Sequence, residues 1–127
     1  TADVTVRLGP TRAPTVDAVT GSTLFPGRAC EGSTSWGVHL PDSTLVLPFR
    51  TIISAHTGFG SDSVARCFAI AAVHELGHPI GIIGVSDDPG DVMFGLPTAA
   101  ELSPRDRATF LTLYHTTPNV RLPVTRR

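Results

Sequence analysis

His74-Glu75-Leu76-Gly77-His78 is the stretch on which the reading of this chain turns. On a helix, residues four apart lie about one turn apart on one face, so both imidazoles can ligate a single metal ion. Glu75 sits beside them, placed to take a proton from a water on that metal. The pattern falls near the end of a helix with an apolar face, where buried imidazoles need partners. Gly81 follows at the spacing H-E-x-x-H-x-x-G, where the chain has to reverse.

Upstream of the motif, Ser61 or Asp62 is expected to cap a helix running to about Gly81. Its apolar face is expected from Ala65, Phe68, Ala69, Ala72, Val73 and Leu76. Pro79 removes the bond to the Glu75 carbonyl and should kink or end the helix there. Gly81 and Gly84 let the chain turn away. Before the helix, residues 3–8 alternate as a strand, and residues 15–35 are rich in Gly, Thr, Ser and Pro, with a short strand near 16–19. Residues 36–40 and 44–49 read as two strands joined by the turn Pro41-Asp42-Ser43, and residues 50–55 as another, followed by a loop over 56–60. Pro41 and Pro48 cannot donate to a ladder, which places their strands at or near a sheet edge.

Downstream, residues 86–95 form a polar loop with Val92-Met93-Phe94 as its apolar insertion. Ser103-Pro104-Arg105-Asp106 starts a second helix, with Ser as N-cap, Pro in the first turn and an acidic N3 side chain, and this helix continues to Tyr114. Pro118 and Pro123 keep the tail extended. The pattern predicts one α+β domain over residues 1–127: a sheet-rich half (1–60), the motif helix (61–81), a loop (82–102) and a C-terminal helix (103–115). There is no internal repeat.

Composition agrees with one domain, since 127 residues can bury a core without disulfides or metal. The net charge of −1 comes from 10 basic and 11 acidic residues, well scattered, which argues against nucleic acid or an anionic membrane as partner. Arg121, Arg126 and Arg127 read as a solvated terminus. Lysine is absent, and all ten basic residues are arginine. The longest apolar stretch, residues 64–83, is broken by Arg66, His74, Glu75 and His78, so no membrane span is expected. Residues 1–3 open directly onto a strand-like run, and the chain is read as a mature form, secreted or extracytoplasmic, in preference to a cytosolic one. In such a compartment Cys30 and Cys67 are expected to form a disulfide, the alternative being two free thiols.

With these stretches in place, the chain resembles the metzincin zinc peptidases, and their matrixin branch in particular. His74-Glu75-Leu76-Gly77-His78-Pro79-Ile80-Gly81 looks like the H-E-x-x-H-x-x-G start of that family. Ser86 through Phe94 resembles the loop into its Met-turn, with Met93 as the methionine beneath the metal. Leu102-Ser103-Pro104-Arg105-Asp106 through Leu113-Tyr114 looks like its closing helix. The resemblance covers about residues 62–115. It implies a minimal metzincin-type catalytic domain (α/β/α-like): a small twisted mixed sheet, an active-site helix and a C-terminal helix.

The family signature ends in a third histidine, which would fall at position 84, occupied by Gly84. A longer bacterial register would put it at 85, and the spacing from Ser86 to Met93 favours that register, so Val85 stands where a histidine belongs. Three explanations of the missing ligand stay open. Asp87, or else Asp88, can supply a carboxylate oxygen; Asp87 is preferred because it lies nearer the vacant position. A distant histidine, His39, His56 or His115, can fold over the site. Otherwise the site is two-coordinate and impaired. A gluzincin reading, with Glu101 as ligand, is the weaker alternative, because Glu101 precedes a helix N-cap.

The resemblance implies a Zn2+-dependent endopeptidase, with His74, His78 and Asp87 on the metal and Glu75 as general base. Gly81 and Asp106 would play supporting parts, Asp106 either anchoring the Met-turn backbone or serving as a simple N3 cap. The expected partner is a peptide or protein bound in extended form along an edge strand within residues 36–49, by β-augmentation, on a monomeric enzyme. The alternative is a catalytically impaired homologue that acts as a zinc- or protein-binding module.

Overall fold

The computed structural model describes residues 3–13, 15–16, 23–24, 27–39 and 44–115. The expected turn at Pro41-Asp42-Ser43, most of the strand near 16–19 and the tail with Pro118 and Pro123 lie outside these residues. The described elements are β1 (Val4–Leu8), β2 (Thr15–Val16), β3 (Thr23–Leu24), β4 (Cys30–His39), β5 (Thr44–Ala55), α1 (Ser61–Gly77) and α2 (Pro104–His115). β1, β5 and β4 form a three-stranded sheet in that order, and β2 pairs with β3. The β1–β5 pair is parallel and the β5–β4 pair antiparallel, so the sheet is mixed. The chain is thus a small α+β unit in which, among the described elements, α1 alone packs on the sheet.

Three strand expectations are corrected. Residues 44–49 and 50–55 are one strand, β5, and not two. β5 is the central strand, so Pro48 does not mark an edge. The ladder to β4 jumps from Ser35↔Arg50 to Gly37↔Val46, and the ladder to β1 begins at Phe49. Pro48 falls in that gap, where neither neighbour needs the N–H that proline lacks. Finally, β4 starts at Cys30, six residues before the expected strand. Its Gly, Ser and Thr residues read as a loop by composition, yet they form the ladder because Gly32 and Thr34 face the helix at close quarters.

The core is small: Cys30, Ile53 and Ala71, with Cys67, Phe68 and Ala72 packed against them. The Cys30–Cys67 disulfide crosses it and ties the start of β4 to the middle of α1. The helix therefore meets the sheet through the stripe from Cys67 to Ala72. Ala65, Ala69 and Leu76, expected on the apolar face, are exposed. Gly60 is the N-cap and no side chain caps the first turn, so neither Ser61 nor Asp62 does so.

Regular helix ends at Gly77 and not at Gly81. Pro79 has no N–H to give to Glu75, and the chain closes instead in a Schellman turn. Gly81 donates its N–H to the His78 carbonyl and Ile82 to the Gly77 carbonyl, both at 3.0 Å. Gly81 has φ of +120°, a conformation that glycine adopts without a side-chain penalty. At the second helix, Ser103 and Asp106 cap each other reciprocally: the Asp106 N–H donates to Ser103 Oγ at 3.0 Å and the Ser103 N–H to Asp106 Oδ2 at 2.8 Å.

Candidate active site

α1 brings His74, Glu75 and His78 together at its C-terminal end, and all three are buried. The two imidazole centroids are 5.1 Å apart with the rings edge to face. Each ring is oriented by a backbone carbonyl. His74 Nδ1 lies 2.8 Å from the Val92 carbonyl and His78 Nδ1 2.7 Å from the Ile82 carbonyl. A carbonyl only accepts, so both Nδ1 atoms carry the proton and both Nε2 atoms present lone pairs. This is the arrangement that prepares histidine to ligate a metal. Among the described residues, no fully buried side-chain nitrogen or oxygen lacks a partner.

The carbonyls come from the two segments that the sequence marked for other reasons. Ile82 ends the Schellman turn. Val92 and Met93 form the apolar insertion, 0% and 2% exposed, beneath the helix. A Cβ at Gly77 would overlap Met93 Sδ, so glycine there lets the methionine sit directly under the motif. Asp106 Oδ2 accepts the Val92 N–H at 3.0 Å as well as the Ser103 N–H, so the carboxylate serves both as anchor of this turn and as cap. Asp91 holds the same loop from its other side, accepting bonds from Ser86 Oγ, Ser103 Oγ and Arg105 Nε at 2.6, 2.6 and 2.7 Å. These hydroxyls, Ser103 first, and the guanidinium lower the Asp91 pKa to about 2. Asp91 in turn raises that of Arg105.

Glu75 is placed by β4. Thr34 Oγ1 donates to Glu75 Oε2 at 2.6 Å, and Thr51 Oγ1 lies 2.8 Å from Thr34 Oγ1. A hydroxyl has one proton, so Thr51 donates to Thr34 and Thr34 to the carboxylate. A Cβ at Gly32 would come within 2.6 Å of Glu75 Cγ, which makes the glycine the space the carboxylate occupies. Trp36, two residues beyond Thr34, lies against His78 with ring centroids 5.7 Å apart. Gly32, Thr34 and Trp36 were not singled out as positioning residues from sequence. Their alternation along one strand was the available signal, and the Gly/Ser/Thr composition concealed it.

None of the remaining candidates whose side chains are described joins the two histidines in a group of three. Asp87 is 99% exposed at its side chain and lies 3.6 Å from Arg105 Nη2, as does Asp88. Val85 is 64% exposed. His56 is buried, with Nδ1 2.8 Å from the Arg28 carbonyl. His115 and Glu101 are exposed, and His39 ends β4. Among the described residues no group of three His, Cys, Asp or Glu side chains could hold a metal ion. The two histidines suit zinc in donor type and tautomer, and among the described residues the set is one protein ligand short of the three that a catalytic zinc takes.

Beside His74 and Glu75 opens a cavity of about 750 Å³ between α1, the start of β4 and residues 95–98. Arg28 closes one wall by donating Nη2 to the Pro97 carbonyl at 2.8 Å. The chain matches no protein-family model, no curated protein and no solved structure. Its class accordingly has to be argued from the site.

Proposed function

We propose that this chain is a zinc-dependent endopeptidase domain of matrixin-like type. The observation that supports it best is the pair of buried histidines on one helix end, each held by a backbone carbonyl with Nε2 free, next to a positioned carboxylate. His74 and His78 would hold the metal, and zinc there would supply Lewis acidity toward a peptide carbonyl and its attacking water. Glu75 accepts the proton of that water and returns it to the leaving amine. Thr34 keeps the carboxylate in place during both transfers. β4 lies at the sheet edge and offers its outer side to an extended peptide by β-augmentation. The disulfide supports an extracytoplasmic setting. No described helix is long and apolar enough to cross a membrane.

A second reading, a homologue that binds zinc or protein without turnover, is favoured by the exposed Val85 and by the Arg105 partner of Asp87. Metal analysis of the purified protein with a peptide-cleavage assay separates the two. Stoichiometric zinc and cleavage abolished by Glu75→Ala support the endopeptidase. Zinc with no cleavage by the unmodified protein supports the binding module, and absence of zinc overturns both.

A further inference from the structure

We infer that the cavity beside Glu75 takes a carboxylate of the bound peptide some residues away from the bond to be cleaved. The inference rests on the peptidase reading and narrows its substrates to peptides carrying an anionic group at that distance. Ser63, Arg66, Ile70 and His74 line the cavity from α1 at helical spacing, so it runs along the helix and not merely beside the motif. Arg66 precedes His74 by eight residues, about 12 Å along the axis. An extended peptide advances about 3.3 Å per residue, so a group about three to four residues from the scissile bond reaches the level of Arg66.

The charges at that end are uneven. Glu31 is the one carboxylate there, and it is paired with Arg12 and faces His56 Nε2 at 3.6 Å. Glu75, at the opposite end, is engaged by Thr34. Asp62, one turn before Arg66, accepts from Ser61 Oγ at 3.4 Å. Arg28 gives one N–H to Pro97 and keeps its positive charge, and Arg66 makes no ion pair or hydrogen bond among the described residues. Two guanidinium groups therefore line a recess that also presents apolar surface, from Phe59, Ile70, Leu96 and the Cys30–Cys67 disulfide, and whose carboxylates, Glu31 and Glu75, are already engaged. Guanidinium presents a planar fork of donors suited to a carboxylate, and partial exclusion of water strengthens the attraction. The carboxylate can be an Asp or Glu side chain or the free end of the peptide.

The test is binding, measured by fluorescence anisotropy on the Glu75→Gln protein so that turnover does not consume the probe. Three labelled peptides differ only at the fourth residue past the scissile bond: Glu in an amidated peptide, Gln in the same amidated peptide, and Gln as a free C-terminus. Either carboxylate should bind about tenfold tighter than the amidated Gln peptide. Arg66→Ala should remove that difference, and Arg66→Glu should reverse it in favour of a Lys peptide. Comparison of the Glu and free-terminus peptides tells which source the site prefers. Equal binding of all three, binding of none, or a preference that survives both Arg66 substitutions overturns the proposal. An Arg66-dependent preference supports it even if the unmodified protein cleaves no peptide, a result that would count against the hydrolase reading alone.

Discussion

Gly32 is the residue on which the site's geometry depends most directly. Its missing side chain is the space filled by Glu75, whose Oε1 would lie 2.7 Å from any Cβ placed there. That neighbour is no loose chain end: the carboxylate is buried and bonded to Thr34. Gly32→Ala should therefore displace Glu75 and, on the proposed peptidase reading, lower peptide turnover by about a hundredfold, the scale at which a misplacement near 1 Å acts. Zinc content should stay unchanged, because both histidines are oriented by other segments. Turnover and zinc measured on the same preparation check this, and undiminished turnover would sink the role given to Gly32. Gly81 is the second dependent glycine, since its positive φ closes the turn that delivers the Ile82 carbonyl to His78.

At the scale of elements, α1 and β4 are held together by few apolar contacts and one covalent link. The disulfide spans 37 residues of sequence. In the chain-entropy account such a closure contributes about 3–4 kcal/mol. Replacing Cys30 and Cys67 by serine should lower unfolding free energy by that amount in a urea titration, and a loss below about 1 kcal/mol would contradict the account. The same two elements show what was legible in the sequence. The motif helix, the capping box at Ser103 and the insertion at Met93 were readable because each depends on residues close together in the chain. The β4 ladder and the central position of β5 were not. Thr34 acts through a partner 41 residues away, and Pro48 is tolerated in a central strand only because two ladders end on either side of it. Neither fact has a local signature. Val85 marks the departure from the family's ligand pattern in the sequence itself, whereas only the folded loop shows Asp87 beside Arg105.

Across the whole molecule, acid should loosen the loop beneath the helix before it disturbs the sheet. The Asp91 pKa falls from 3.8 to about 2 on folding. A depressed carboxyl pKa contributes stability that is complete above the unfolded value and lost as pH falls through the folded one. Between about pH 4 and pH 2 the bonds from Ser86, Ser103 and Arg105 should therefore weaken. Unfolding titrations over that range should show Asp91→Asn less acid-sensitive than the parent; equal sensitivity would place the acid response elsewhere. The interruption at Pro48 has its own outcome for motion. Residues 50–53 of β5 are laced to a strand on each side, whereas the block at 44–46 is laced to β4 alone. Amide protons of residues 37–39 and 44–46 should thus exchange with deuterium well ahead of those at 30–35 and 50–53. The rim of the sheet can breathe while the segment that carries Thr34 stays shut, so under the proposed docking a peptide arriving at β4 would meet an edge that is yielding at its tip and firm beside Glu75.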